Sequence, residues 1–275
     1  MERANVIDKD IIDHYDSGVE LNRLNVGTSQ LERVRTQEII LRYLRKTPSR
    51  VLDVGAGPGF YSFWLSDLGH EVHLVDPVLK HAEYARIYAA ESHKKIFSIT
   101  VGEAQHLEYD SEYFDIVLML GPLYHLTEKD ARLRALSEAR RVLSKGGVLF
   151  CVAVSRYASM LDGYFRNLIS DPRFVEIMNR DLQDGQHRNN TENLDYWTTA
   201  YLHKPHELKD EVTESGLRLE DMFAIDSFGW LIPNFQERWH DKDYRDLLLH
   251  TIRAVEKDTS LMGMSAHIIG VATKR

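Results

Sequence analysis

The sequence predicts an α/β fold: a doubly wound, mostly parallel seven-stranded sheet, with an N-terminal helical segment and a helical insertion after the fifth strand. Three observations carry this expectation. Between residues 50 and 155, short apolar runs alternate with longer stretches of helical period. Two of those runs, IVLML (116–120) and VLFCVAV (148–154), are continuously apolar, as strands are when helices cover both faces of a sheet. The segment VLDVGAGPG (51–59) reads as a strand, a glycine turn and the start of a helix.

Residues 30–46 place Leu31, Val34, Ile40, Leu41 and Leu44 at helical intervals, and Pro48 is expected to close that helix. There follow strand 51–55, helix 60–69, strand 71–76, helix 78–92, strand 96–100, strand 114–120, helix 128–143 and strand 147–154. Pro77 suits the first position of the helix after Asp76. Thr127 and Asp130 have capping-box spacing at the start of helix 128–143, and Gly146-Gly147 are expected to end it. After Ser155 the alternation stops. Residues 156–200 are polar and mixed, with Asp171-Pro172 and the loop-like DGQHRNNTEN. Helix 205–215, strand 217–224, helix 241–257 and a last antiparallel strand 266–273 then complete the sheet. Ligands of doubly wound sheets sit beyond the carboxyl ends of the strands. An insertion leaving the end of strand five is therefore expected to roof the site as a mobile cover.

Charge narrows the function. With 34 basic and 42 acidic residues the net charge is −8, which disfavours a large nucleic-acid footprint. One basic stretch, Arg33 to Arg50, reads as the solvated face of a helix. The single cysteine, Cys151, rules out an intrachain disulfide and makes a reducing cytoplasm the expected compartment. No signal-peptide pattern opens the sequence, and no apolar run approaches the roughly 20 residues of a membrane span.

The glycine turn carries the chemistry. Glycine is needed where the backbone turns with positive φ or where a ligand meets the main chain. Asp76 ends the second strand 21 residues after Gly55, where a carboxylate can accept from ribose hydroxyls. In the dinucleotide fingerprint the third small residue would fall at position 60, which is Phe60. The pattern is instead Asp-x-Gly-x-Gly-x-Gly over Asp53, Gly55, Gly57 and Gly59.

This pattern, followed in order by Asp76, Gly102-Glu103-Ala104 and Leu120, resembles the class I S-adenosylmethionine-dependent methyltransferases. The resemblance implies S-adenosylmethionine as cofactor, leaving as S-adenosylhomocysteine. It implies that Asp53, Gly55, Ala56, Gly57 and Gly59 wrap its methionine part and that Asp76, with Pro77, holds the ribose diol. Glu103 or the Ala104 amide would read the adenine edge, and the Leu120 carbonyl would help hold the ammonium. Tyr15, in Asp13-His14-Tyr15-Asp16, is the residue expected to fold over the cofactor.

The loop Leu120-Gly121-Pro122-Leu123-Tyr124-His125 departs from the Asp/Asn-Pro-Pro-Tyr of some amine-directed relatives, which argues against their mechanism. Tyr124 and His125 remain near the expected methyl. His125 is either a general base or a packed residue at the next helix. Trp197, Tyr201 and His203, beside Tyr196, either line the substrate pocket or pack in a core. His203 and His206 do not make a metal site, because Pro205 interrupts the helical spacing. The domain reading is one methyltransferase domain over 1–275: a helical cap (1–47), a cofactor-binding half (48–155), a lid-like insertion (156–200) and a C-terminal completion (201–275).

Three functions fit. The first is methyl transfer to a small-molecule acceptor by in-line displacement. The second is methylation of an RNA wobble nucleoside, because the segment SLMGMSAHIIGVATK (260–274) is similar in type to methyltransferases of that pathway. The third is non-catalytic binding of the cofactor. Nothing in the sequence indicates an oligomeric state.

Overall fold

A computed structural model describes residues 22–44 and 48–275. The expected sheet forms in the order β3-β2-β1-β4-β5-β9-β8. Its strands are β1 (Arg50–Val54), β2 (Glu71–Asp76), β3 (Ser98–Val101), β4 (Phe114–Met119), β5 (Leu143–Ser155), β8 (Arg218–Ala224) and β9 (His267–Thr273). Strands β1 to β5 pair in parallel, and β9 runs antiparallel between β5 and β8. Alternate residues of one strand enter opposite cores. Leu52, Val117 and Met119 meet the helices α5 (Lys129–Val142) and α8 (Pro205–Glu214). Val51, Ile116 and Leu118 meet α1 (Ser29–Leu41) and α2 (Phe60–Asp67). This two-sided burial is the reason the strands read as unbroken apolar runs. Among the described residues, no helix is long and apolar enough to cross a membrane.

Several local expectations are corrected. Helix α1 ends at Leu41, well before Pro48, because the amides of Arg42 and Tyr43 turn inward to the carbonyls of Ile39 and Ile40. Pro77 lies ahead of the N-cap, Val78, of α3 (Leu79–Ser92) rather than inside the helix. No capping box forms at Thr127: the N-cap of α5 is Glu128, without a side-chain bond, and the Thr127 carbonyl accepts instead from Arg132 and Gln186. Gly146-Gly147 do not stop α5, which ends at Val142. They lie within β5, where the Gly146 amide donates to the Lys274 carbonyl.

The basic stretch is not a solvated face throughout. Arg35 is fully buried and pairs with Glu38 and Glu256, Arg42 also pairs with Glu256, and Arg50 lies 4.4 Å from the centroid of the Tyr113 ring.

The insertion has its own core. It is helical, as expected: two helices, α6 (Ala158–Phe165) and α7 (Pro172–Asp184), with an apolar cluster of their own around Phe174, Ile177, Met178 and Tyr196 rather than a loop-rich make-up. Asp171 caps α7 by accepting from the Arg173 amide. A short hairpin, β6 (Gln186–His187) and β7 (Ala200–His203), returns the chain to the sheet, with β7 parallel to the last residues of β5.

Arg132 of α5 fastens this hairpin. It is 1% exposed, donates to both carboxylate oxygens of Glu211 (2.9 and 2.7 Å) and lies 3.7 Å from the Tyr201 ring centroid. Burial alone would raise the Glu211 carboxyl; His203 and Arg132 bring it down to about 2 instead. Removing one partner leaves a charge buried and unpaired, which costs about 3–5 kcal/mol. Arg132→Ala is therefore expected to lose stability of that order in urea unfolding at pH 7. Because the Glu211 pKa is depressed on folding, its contribution is present above about pH 4 and fades towards pH 2. An Arg132→Ala variant as stable as the wild type at pH 7 would refute this account.

Candidate functional site

A cleft opens at the carboxyl ends of β1, β2, β4, β5 and β8. Its floor is the glycine turn. Gly55 has φ +67°, and a Cβ there would stand 2.7 Å from Pro122 Cγ, so the turn packs directly on the loop after β4. Gly57 has φ +57°, and nothing lies within 4 Å of where its Cβ would be. Bare main chain thus faces open cleft, as a group wrapped by backbone requires. Gly59 caps α2 and packs on Leu74 and Phe63 behind the turn; it shapes the cradle without lining it.

Asp76 holds the turn. Its Oδ2 accepts from the Gly57 amide at 2.7 Å, and its Oδ1 from the Val78 amide at 2.9 Å and from His81 Nδ1 at 3.0 Å. The last contact requires the His81 proton on Nδ1. A carboxylate has about four lone-pair sites. Three are used here, which leaves room on Oδ2 for one hydroxyl rather than two. Asp53, 2% exposed, lies one strand over and accepts from Ser62 Oγ at 2.7 Å. Burial pushes its carboxyl up to about 7, with the Asp76 charge adding to the effect and Ser62 opposing it.

The loop after β4 makes the next wall. The short helix α4 (Pro122–His125) sends Leu123 into the core and turns Tyr124 and His125 to the cleft, their ring centroids 4.6 Å apart. Leu120, Gly121 and Leu126 line the same wall. The far end is mostly apolar and aromatic, from Leu24, Phe60, Tyr61, Val152 and Ile225. One ion pair edges it: Arg23 donates to both oxygens of Glu32, at 2.6 and 3.0 Å. Burial works to raise the Glu32 carboxyl, but Arg23 and His267 hold it below its usual range. His267 is held in turn by Asp226, at 2.8 Å from Nδ1.

The structure thus brings Asp53, Gly55, Ala56, Gly57, Asp76, Pro77, Ala104, Leu120, Tyr124 and His125 to one cleft. Tyr15 lies outside the described residues. Glu103 is not in the cleft wall; its backbone instead bridges to His106. Trp197, Tyr201 and His203 also do not reach it. The hairpin carries them behind α4, where Tyr201 covers Arg132 and buried His203 bonds to Glu211. No described residue of 156–200 lines the cleft, so the roof expected from the insertion is not seen there; α1 and the turn before it close that side. Among the described residues, no group of three or more His, Cys, Asp and Glu side chains is placed to hold a metal. Sequence reading missed Arg23, Glu32, Thr36, Tyr61, His81, Gln105, Val152 and Ile225. Only Phe60-Tyr61, just past the glycine turn, carried a local signal.

Residues 52–151 match the methyltransferase-domain family. The chain is 29% identical over 177 residues to a ubiquinone biosynthesis O-methyltransferase of Brucella anthropi, covering 64% of this chain and 62% of that one. It is 31% identical over 144 residues to a malonyl-[acyl-carrier protein] O-methyltransferase of Geobacter sulfurreducens, covering 51% and 50%. It therefore spans only about half to three-fifths of these two relatives' own length. Among solved structures, a protein of Pyrococcus horikoshii superposes with a TM-score of 0.59 at 18% identity, over 96% of this chain and 99% of that one. A SAM-dependent methyltransferase of Methanosarcina mazei gives 0.58 at 18% identity, over 86% and 96%.

Asp53 yields a pH test. Its folded pKa is raised, so its contribution to stability is full below about pH 4 and is lost as pH rises through about 7. Asp53→Asn removes the ionisation and keeps the Ser62 contact. The variant is expected to melt with the wild type at pH 5 and above it at pH 8, by about 2–4 °C for each kcal/mol recovered. Equal melting temperatures at pH 8 would place the Asp53 carboxyl in its ordinary range.

Proposed function

We propose, for a chain that belongs to the class I S-adenosylmethionine-dependent methyltransferases, that it methylates an oxygen of a small-molecule acceptor bound beside Tyr124 and His125. The observation that carries this reading is the continuity of the cleft. It runs from the open main chain of Gly57 and the Asp76 carboxylate, past α4, to an apolar and aromatic end.

The residues present fit the cofactor. Gly57 leaves open space where a Cβ would stand, Asp76 keeps one acceptor site for a ribose hydroxyl, and Asp53 sets a carboxyl beside the turn where a positive charge would favour its ionised form. S-adenosylmethionine supplies an electrophilic methyl on a sulfonium and needs no metal to do so. The protein's task is then alignment, which contributes about 7–11 kcal/mol in well-oriented systems. Gly55 against Pro122 fixes the turn relative to α4, so the cofactor cradle and the acceptor wall keep one spacing. Phe60, Tyr61, Leu120 and Val152 give the acceptor end an apolar and aromatic lining. His125 is positioned to take a proton from a hydroxyl acceptor; a carboxylate acceptor would need no base.

The names of the relatives support an oxygen acceptor. Methylation of RNA is disfavoured: Arg35 and Arg42 of the basic stretch are spent on Glu38 and Glu256, and the net charge is −8. Non-catalytic binding predicts that no S-adenosylhomocysteine forms with any acceptor. Incubation with methyl-labelled cofactor and fractionated small-molecule extract tests this directly.

Two variants separate the parts of the site. Asp76→Ala is expected to weaken S-adenosylhomocysteine binding in calorimetry by about 10- to 150-fold, the worth of one hydrogen bond to a charged group, and further through release of the Gly57 amide. Unchanged affinity would remove Asp76 from the site. His125→Ala should leave that affinity within about twofold while slowing transfer to a hydroxyl acceptor on the order of 10²–10⁴-fold. Near-normal turnover with a lowered melting temperature would make His125 a packing residue instead.

A further inference from the structure

We infer that Gln186 is a positioning residue: from behind the cleft, through the Thr127 carbonyl, it sets where Tyr124 and His125 stand, a role that rests on the methyl-transfer reading above. A helix leaves its last carbonyls without partners inside the helix. At the end of α4, the two carbonyls that follow His125 are both taken by side chains. Arg132 Nη1 donates to Leu126 at 2.8 Å and to Thr127 at 2.9 Å, and Gln186 Nε2 donates to Thr127 at 3.0 Å. Two donors fill both lone pairs of the Thr127 carbonyl. Arg132 belongs to α5, which follows this loop directly. Gln186 belongs to the insertion and stands 59 residues along the chain from Thr127.

Strand register brings it there. Gln186 pairs with Tyr201 across the hairpin, and His187 pairs with Ala200. Residues opposed in an antiparallel pair share a face, as do residues two apart on one strand. Gln186, Tyr201 and His203 therefore form one face of the hairpin, and His187 belongs to the other. All three residues of the first face converge on the loop. Gln186 bonds to it directly. Tyr201 lies 3.7 Å, by its ring centroid, from the Arg132 guanidinium, and His203 bonds at 3.3 Å to Glu211, the carboxylate that pairs with Arg132. The second face is fastened to the insertion: His187 Nδ1 lies 2.8 Å from Asp181 Oδ2, and its Nε2 lies 2.7 Å from the Tyr196 carbonyl.

The Gln186 amide is also aimed. Arg188 Nη2 donates to its Oε1 at 2.8 Å, which leaves Nε2 towards Thr127. Thr127 is two residues from His125, so a shift of its carbonyl reaches the imidazole through a single short turn of chain. Placement of this kind governs rate steeply, since an error of about 1 Å can cost about 10²-fold.

The experiment compares purified wild type, Gln186→Leu, Gln186→Glu and Ile177→Val by three readouts. These are the magnetic resonance signals of isotope-labelled histidine side chains, the calorimetric affinity for S-adenosylhomocysteine, and the rate of labelled methyl transfer to the fractionated small-molecule extract. The His125 signal is identified by its loss in His125→Gln. Gln186→Leu removes the donor, and Gln186→Glu keeps the shape but sets an acceptor against the Thr127 carbonyl. Both should move the His125 signal and slow transfer by about 10- to 100-fold, with S-adenosylhomocysteine affinity unchanged. Ile177→Val trims the insertion's own core away from the hairpin contact, so it should lower the melting temperature and leave the His125 signal and the rate in place. An unchanged His125 signal or an unchanged rate in the Gln186 variants would overturn the inference. So would an equal movement of that signal in Ile177→Val, which would mark general loosening, or a loss of S-adenosylhomocysteine affinity as large as the loss of rate. A wild type that transfers no methyl to any fraction would overturn the methyl-transfer reading and this inference together.

Discussion

The bond from the Gly57 amide to the Asp76 carboxylate is the constraint on which the site depends. It joins the tips of β1 and β2, and the amides of Gly55 and Ala56 repeat the tie through the Val75 carbonyl. The bond exists only because Gly57 holds a positive φ, a conformation that glycine adopts without steric penalty. Asp76 is fixed on its other oxygen by the Val78 amide and His81, so its carboxylate is held in one direction. Through Gly55 the same turn bears on Pro122, and so sets where α4 can stand. A change at this bond would move the glycine turn, the Asp76 carboxylate and α4 together.

The wall at α4 is braced from the opposite side. Arg132 Nη1 donates to the carbonyls of Leu126 and Thr127 at 2.8 and 2.9 Å, and Gln186 Nε2 donates to Thr127 at 3.0 Å. The insertion therefore touches the back of the loop that carries Tyr124 and His125, through Gln186. Buried Glu211 and His203, with half-buried Tyr201, complete this support. Buried ionic groups paired in this way hold a geometry even where their net contribution to stability is small.

The far end of the cleft is set by α1. Its residues divide between a core with Phe235, Trp239 and Ile252, which takes Leu31, and the cleft, which takes Glu32 and Thr36. Arg23, His267 and Asp226 form a charge ladder with Glu32 that runs from the turn before α1 to β9. Residues 23–36 thus meet residues 225–267 at one end of the cleft, while residues 53–126 line most of the rest.

What the sequence determined by itself was the part of the molecule written in local chemistry. The strand period, the positive-φ glycines and the acidic tip of β2 each occupy a few adjacent residues, so the doubly wound sheet and the turn that joins Gly55 and Gly57 to Asp76 were legible. So was the loop bearing Tyr124 and His125. What only the tertiary structure decided was every feature made by residues far apart in the chain. Arg35 reads as a solvated helix residue until Glu256 is brought against it. Glu32 and Ile225 have no motif and enter the site because α1 and β8 end at the same cleft. Tyr201 and His203 form an aromatic cluster that suggested a pocket, yet Arg132 and Glu211 claim them, because a buried guanidinium needs a carboxylate and a surface to lie on. Periodicity and motif spacing report which face a residue takes; they do not report which distant partner that face will meet.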